Sequence, residues 1–146
     1  NLTVLNQTEA DVCIGDVFRL GTALIQVSQA RQPCWKLNLR FGKPDMSRRV
    51  QESARTGWYY RVLETGEVAP GAELRLFDRP RPDWPLAHLL HHLYADPLNV
   101  EALAAIMALD VLSASWRELA QRRLTSGQIE DWSRRLNTPA KQARRQ

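Results

Sequence analysis

From residue 1 to about 79 apolar and polar residues alternate, with Gly and Asp as punctuation, a period of two that predicts strands joined by turns. Asn1-Leu2-Thr3-Val4-Leu5 reads as the inside of a strand. Val17–Leu20 and Ala23–Ser28 flank Gly21-Thr22, a plausible two-residue hairpin turn because Gly tolerates positive φ. Gly57–Leu63 and Glu73–Phe77 read as two further strands of the same sheet, separated by the turn formers Pro70-Gly71. Between the strand groups, Asp45–Ala54 predicts a helix with Asp45 as cap and Met46, Val50 and Ala54 on one face.

Pro80, Pro82 and Pro85 then rule out a central strand, since each lacks a backbone donor. Beyond them the period becomes helical: Leu86, Leu89, Leu90 and Leu93 form one stripe, and Val100, Leu103, Ala104 and Met107 another. Ser115-Trp116-Arg117-Glu118 has the form of a capping box opening a third helix. A fourth is expected over Gln128–Leu136, with Ile129, Trp132 and Leu136 inward. The expected fold is therefore α+β: a mainly β unit over residues 1–80, then a small all-α bundle with a basic tail over residues 81–146.

Composition narrows the class. With 146 residues and 44% hydrophobic content, the chain can bury one good core or a modest domain with a small satellite. It has no long apolar run and no leader-like start, so a cytoplasmic protein without membrane contact is expected. Cys13 and Cys34 are too few for a disulfide framework and read as reduced thiols. The net charge of +4 owes much to Arg134, Arg135, Lys141, Arg144 and Arg145; a solvated terminus is preferred over nucleic-acid binding for this run.

The chemistry concentrates in Ser28-Gln29-Ala30-Arg31-Gln32-Pro33-Cys34-Trp35-Lys36-Leu37, which follows a strand and sets a thiol between two cations. Such surroundings favour a thiolate, both a nucleophile and a soft metal ligand. On chemistry alone Cys34 can be buried and inert, nucleophilic or metal-bound. Other constellations have plainer readings. His88 and His92 share a helix face, the minimum for zinc, but no His-Glu-x-x-His motif is present, so His88, His91 and His92 read as surface or partly packed residues. Cys13 reads as packing. Trp58, Tyr59 and Tyr60 can stack a planar base, with core packing preferred for Trp58.

Asn1-Leu2-Thr3, Glu9–Asp16, Gln29–Leu37, Met46–Val50 and Thr56–Tyr59 together resemble, in order and spacing, the MOSC domain of the YiiM group, and the region after Pro85 resembles that group's C-terminal three-helix domain. Ala30 departs from the pattern, standing where Pro is expected. The resemblance implies a barrel-like fold that binds a molybdopterin-type molybdenum cofactor, with Cys34 as both metal ligand and catalytic residue. It implies reduction of N-hydroxylated compounds, such as hydroxylaminopurine base analogues, as a detoxifying activity. Arg31 and Lys36 are then candidates to meet the cofactor's phosphate or pterin edge, and Asn1, Ser28 and Gln29 to hydrogen-bond the pterin.

Electrons would come from a separate flavin or iron–sulfur protein, since no Gly-rich dinucleotide fingerprint is visible and two Cys are too few for a cluster. The helical region is a candidate docking surface or homodimer interface. A reading from another class is a non-catalytic carrier, in which Cys34 holds a cofactor or a persulfide sulfur. The resemblance also implies that the upstream part of the MOSC domain is missing from this numbering, and a barrel made only from these strands would have open edges.

Overall fold

An eight-residue run of mostly apolar residues, Ala23–Ala30, forms the centre of the sheet and is buried along most of its length. In the computed structural model, which describes residues 2–140, it is β2 and pairs antiparallel with β1 (Val17–Leu20), Leu20 facing Ala23 across the predicted turn. Gly21 has φ +58°, and a Cβ there would lie 2.2 Å from the Glu67 carbonyl oxygen, so this position needs glycine.

The order along the sheet is β3-β2-β1-β4, with β3 (Trp58–Glu64) against β2 and β4 (Leu74–Asp78) against β1, all antiparallel. The last two predicted strands thus lie in one sheet, at opposite edges. Among the described residues both edges are open and the sheet does not close into a barrel; Val62 and Phe77 on these edges are exposed. Leu2–Leu5 is not a strand, contrary to its alternating pattern, and Leu2 and Leu5 lie exposed.

Two short helices connect β2 to β3. The first, α1 (Lys36–Phe41), has no counterpart in the predicted elements and ends at Gly42 in the left-handed conformation. In the second, α2 (Met46–Glu52), Asp45 occupies the cap position but does not cap: its carboxylate accepts from Arg49 Nε at 2.7 Å instead. The buried residues of α2 are Ser47 and Gln51, not the predicted Met46 face. Asn38 explains this, because its Oδ1 accepts from the Ser47 N–H and its Nδ2 donates to the Leu136 carbonyl, tying both helices to the chain's far end.

The helical region comprises α3 (Leu86–Tyr94), α4 (Val100–Met107), α5 (Ala114–Ser126) and α6 (Ser133–Leu136). In α3 the four predicted leucines are buried. In α4 the buried face is Ala102, Leu103 and Ile106, while Val100 and Ala104 point to solvent, a shift set by Asn99, whose side chain accepts from the Ala102 N–H. The third helix starts before the predicted capping box: Ser113 is its N-cap, and the Ser113 N–H donates to the Ser28 carbonyl. The predicted fourth helix shrinks to α6. Gly127 ends α5, Arg123 takes the Glu130 carboxylate, and Asp131 accepts from the N–H and hydroxyl of Ser133, so regular helix resumes only there.

The helices do not form a satellite with its own core. Val12, Ile14, Phe18 and Val27 of the β part belong to one buried cluster with Leu86, Leu89, Leu103, Ile106 and Trp116. The proline-rich segment is stitched into the β part as well: Ile14 N–H donates to the Trp84 carbonyl and Leu86 N–H to the Val12 carbonyl. No helix among the described residues is long and apolar enough to cross a membrane.

Candidate functional site

The sheet ladder ends just past β2. Arg31 N–H still donates to the Gly57 carbonyl at 2.8 Å, but Pro33 has no N–H to continue, and the chain turns through Cys34 into α1, with Leu37 N–H closing the turn on the Cys34 carbonyl. Cys34 is a free, half-buried thiol.

Arg135 grips both sides of this turn. Its guanidinium donates to the Pro33 carbonyl and, at 2.6 Å, to Gln51 Oε1, while its own carbonyl accepts from Trp35 N–H at 2.7 Å. The Tyr94 ring lies under the same guanidinium, 5.9 Å from its carbon. Arg135 is therefore not part of a solvated basic tail, as its sequence neighbourhood suggested, but the clamp on the Cys34 turn. Lys141, Arg144 and Arg145 lie outside the described residues.

Two clefts flank the segment. One, of about 620 Å³, is lined by Leu2, Val4, Arg31 and Thr56–Tyr60. Trp58 and Tyr60 of this wall also pack against the core, yet Trp58 Nε1 and Tyr60 Oη are buried without hydrogen-bond partners. Burial pushes the Tyr60 phenol above its ordinary pKa.

The second cleft, of about 560 Å³, runs between the sheet and the helical region, with Gln29, Gln32 and Tyr59 on one side and Trp116, Arg122, Trp132, Arg134 and Arg135 on the other. Glu130 and Asp131 complete its wall but are committed elsewhere. Burial alone would raise the Glu130 pKa; the hydrogen bonds from Arg123 and Trp132 outweigh it and hold this carboxyl below its ordinary value. Hydrogen bonds from Ser133 likewise hold Asp131 low.

The sequence candidates thus divide. Gln29 lines the second cleft and Arg31 the first. Cys34 itself lines neither and is half-buried. Ser28 faces neither cleft: it is buried, its hydroxyl donates to the Tyr59 carbonyl, and its own carbonyl is taken by Ser113. Lys36 is exposed on the first turn of α1 and lines neither cleft, and Asn1 lies outside the described residues. Gln32, Arg122 and Arg134 were not foreseen as cleft residues, nor Arg135 as a clamp. Cys13 is buried, its thiol directed at the Pro82 carbonyl, with its pKa raised by burial and by the Asp16 charge.

Chemically the arrangement offers a soft sulfur ligand on a hydrogen-bonded turn, a cleft carrying Arg31 on one side, a cleft with amides and a cationic rim on the other, and donors left without partners.

Residues 1–75 match the family model of the MOSC domain, and residues 84–127 that of the YiiM-like 3-alpha helix domain. Protein YiiM of Escherichia coli is 39% identical over 136 residues, which cover 93% of this chain and 60% of that protein. A protein named reductase from Gibberella moniliformis is 35% identical over 127 residues, covering 86% of this chain and 22% of that protein. The crystal structure of YiiM from Escherichia coli matches with a TM-score of 0.86 at 38% identity, over 91% of this chain and 66% of that one. The chain thus spans about three fifths of the curated YiiM it matches, and less of the reductase.

Proposed function

The chain belongs to the MOSC family, in its YiiM-like group, and from that premise we propose that it binds a molybdenum cofactor through Cys34 and reduces N-hydroxylated compounds such as hydroxylaminopurine base analogues. The observation that carries this reading is the Cys34 turn: a free thiol on a turn held by Arg135 on both flanks, beside residues that line two clefts.

The residues present fit such a group. A thiolate is the soft ligand that molybdenum accepts. Arg31 brings a cation suited to a phosphate, and the unpartnered Trp58 N–H and Tyr60 O–H are donors waiting for acceptors beside the same cleft. Gln29 and Gln32 offer amides that both donate and accept, as a pterin edge requires. When bound, the cofactor would supply two-electron redox chemistry, with N–OH going to N–H and water released. The protein's part is to orient. Tyr59 and Trp132 present aromatic surface to the second cleft, where a planar base would lie, and Arg122 and Arg134 give that cleft a cationic rim.

Oxidoreductase chemistry also accords with the reductase name carried by the fungal relative. We infer that electrons arrive from a separate flavin or iron–sulfur protein and that the setting is the cytoplasm, where two unpaired thiols stay reduced.

Molybdenum analysis of the purified protein against Cys34→Ser, with turnover of hydroxylaminopurine driven by a reduced viologen dye, tests the reading. The wild type should contain molybdenum and turn over, and the variant should lose both. Molybdenum retained in Cys34→Ser would remove the assignment of Cys34. Cofactor bound without turnover would favour the carrier reading.

A further inference from the structure

We propose that His91, His92 and Asp96 form a separate site for a borderline divalent transition-metal ion such as Zn²⁺ at the C-terminal end of α3. One ligand atom from each of the three lies within 4.8 Å of the others.

Hydrogen bonds around the His88 and His92 rings orient the ligand atoms. The Asp83 carbonyl can only accept, so His88 Nδ1, 3.3 Å away, carries a hydrogen. With that hydrogen on Nδ1, His88 Nε2 is placed to accept from His92 Nε2, 3.0 Å away. Trp84 stacks on the His88 ring at a centroid distance of 4.9 Å and fixes its orientation. In that tautomer His92 Nδ1 is a bare lone pair. It is buried and has no hydrogen-bond partner, and the Asp96 carboxylate faces it at 3.8 Å.

The same Asp96 oxygen accepts from Asn99 Nδ2 at 2.9 Å, which holds the carboxylate in place but puts no proton between it and His92; a lone pair facing a carboxylate is repulsive unless a cation lies between them. The gap is too long for a hydrogen bond. It is close to the edge of a tetrahedral zinc site, where ligand lengths of about 2.1 Å put neighbouring donors about 3.4 Å apart. His91 is exposed, so its ring is free to swing to the third position; it already meets the His92 ring edge to face.

His88 meanwhile does for His92 what outer partners do for metal-bound imidazoles: it takes the other ring N–H and so sets tautomer and orientation. Two imidazoles and a carboxylate favour zinc, nickel or copper over magnesium or calcium. The negative end of the α3 dipole adds to the pull on a cation. Bound there, the ion would cross-link the last turn of α3 to the chain leading into α4, with a fourth position left for water.

The experiment uses the full chain carrying Cys34→Ser, so that the other soft ligand cannot compete, with ZnCl₂ in calorimetry and CoCl₂ in visible absorption. One equivalent of Zn²⁺ should bind, and Co²⁺ should show the d–d bands of a four-coordinate nitrogen and oxygen site. His92→Ala should abolish binding. His91→Ala, at an exposed position, should weaken it clearly, and His88→Phe, which keeps the stack on Trp84 but loses the acceptor, should weaken it about 10–100-fold. Nitrogen-15 spectra of the metal-free chain should find His92 neutral with its hydrogen on Nε2. The proposal fails if no saturable binding occurs, if His91→Ala and Asp96→Asn keep full affinity, or if metal-free His92 is doubly protonated at neutral pH.

Discussion

Removing the Glu130 carboxylate tests how the wall of the second cleft is held. Arg123 is 1% exposed, and its Nε and Nη2 donate to the two oxygens of Glu130 at 2.9 and 2.7 Å while Nη1 donates to the Leu93 carbonyl at 2.9 Å. The partners are unequal, because the Glu130 side chain is 38% exposed. Glu130→Ala strands a guanidinium that water cannot reach, a loss of about 3–5 kcal/mol. Arg123→Met instead leaves Glu130 free to hydrate and fills the space with an apolar chain. Its main cost is the unpaired Leu93 carbonyl, about 1–3 kcal/mol. Glu130→Ala should therefore be the more destabilising by about 2 kcal/mol, and the double variant should resemble Arg123→Met.

Urea unfolding at neutral pH, followed by circular dichroism, measures all three variants. Acid adds a sign. The folded pKa of Glu130 lies below its ordinary 4.5, so the pair's contribution is complete above that value and is lost as pH falls through the lower folded pKa. The gap between wild type and Glu130→Ala should narrow accordingly. Equal costs for the two single variants, a reversed order, or a gap unchanged at about pH 3 would refute the reasoning.

Three further outcomes follow from the same geometry. Leu89→Ala, at a fully buried position of the shared cluster, should cost about 2–5 kcal/mol and leave a single cooperative transition; two separate transitions would contradict one core. Arg79→Ala strands Asp16, whose side chain is 0% exposed and accepts both Arg79 Nε and Nη2, so denaturation should show a loss of about 3–5 kcal/mol. Gly21→Ala places a side chain at φ +58° against the Glu67 carbonyl and should lower stability by about 1–3 kcal/mol without shifting the secondary-structure spectrum.

What could be read in the sequence was what neighbours decide. The hairpin at Gly21-Thr22 and the leucine stripe of α3 depend on residues within two turns of each other, and both stand as their patterns say. Gly42 is a local stop signal from which the end of α1 could be read. Elsewhere a distant partner overrules the local pattern. Asp45 has the chemistry of a cap and spends it on Arg49. The stretch before Ser133 has helical spacing, but Arg123 pulls Glu130 out of line. The site divides in the same way: Gln29, Arg31 and Cys34 lie on one short segment, whereas Arg135 meets Pro33 from 102 residues away and looked, locally, like one more cation in a basic run.

That long-range clamp changes what the helical region is for. A bundle hung on a linker could serve as a docking module and leave the Cys34 turn untouched. Here the Ser113 N–H holds the Ser28 carbonyl, the Leu136 carbonyl accepts from both Asn38 and Ser47, and Arg135 fixes the residues on either side of Cys34. Moving the helices as a body would open the shared core and release the turn together. The helical residues are therefore built into the wall around the thiol. A change on α5 or α6, such as the loss of the Arg123–Glu130 pair, should be felt at Cys34 before any surface contact with another protein is altered, and faster alkylation of that thiol in Glu130→Ala would register it.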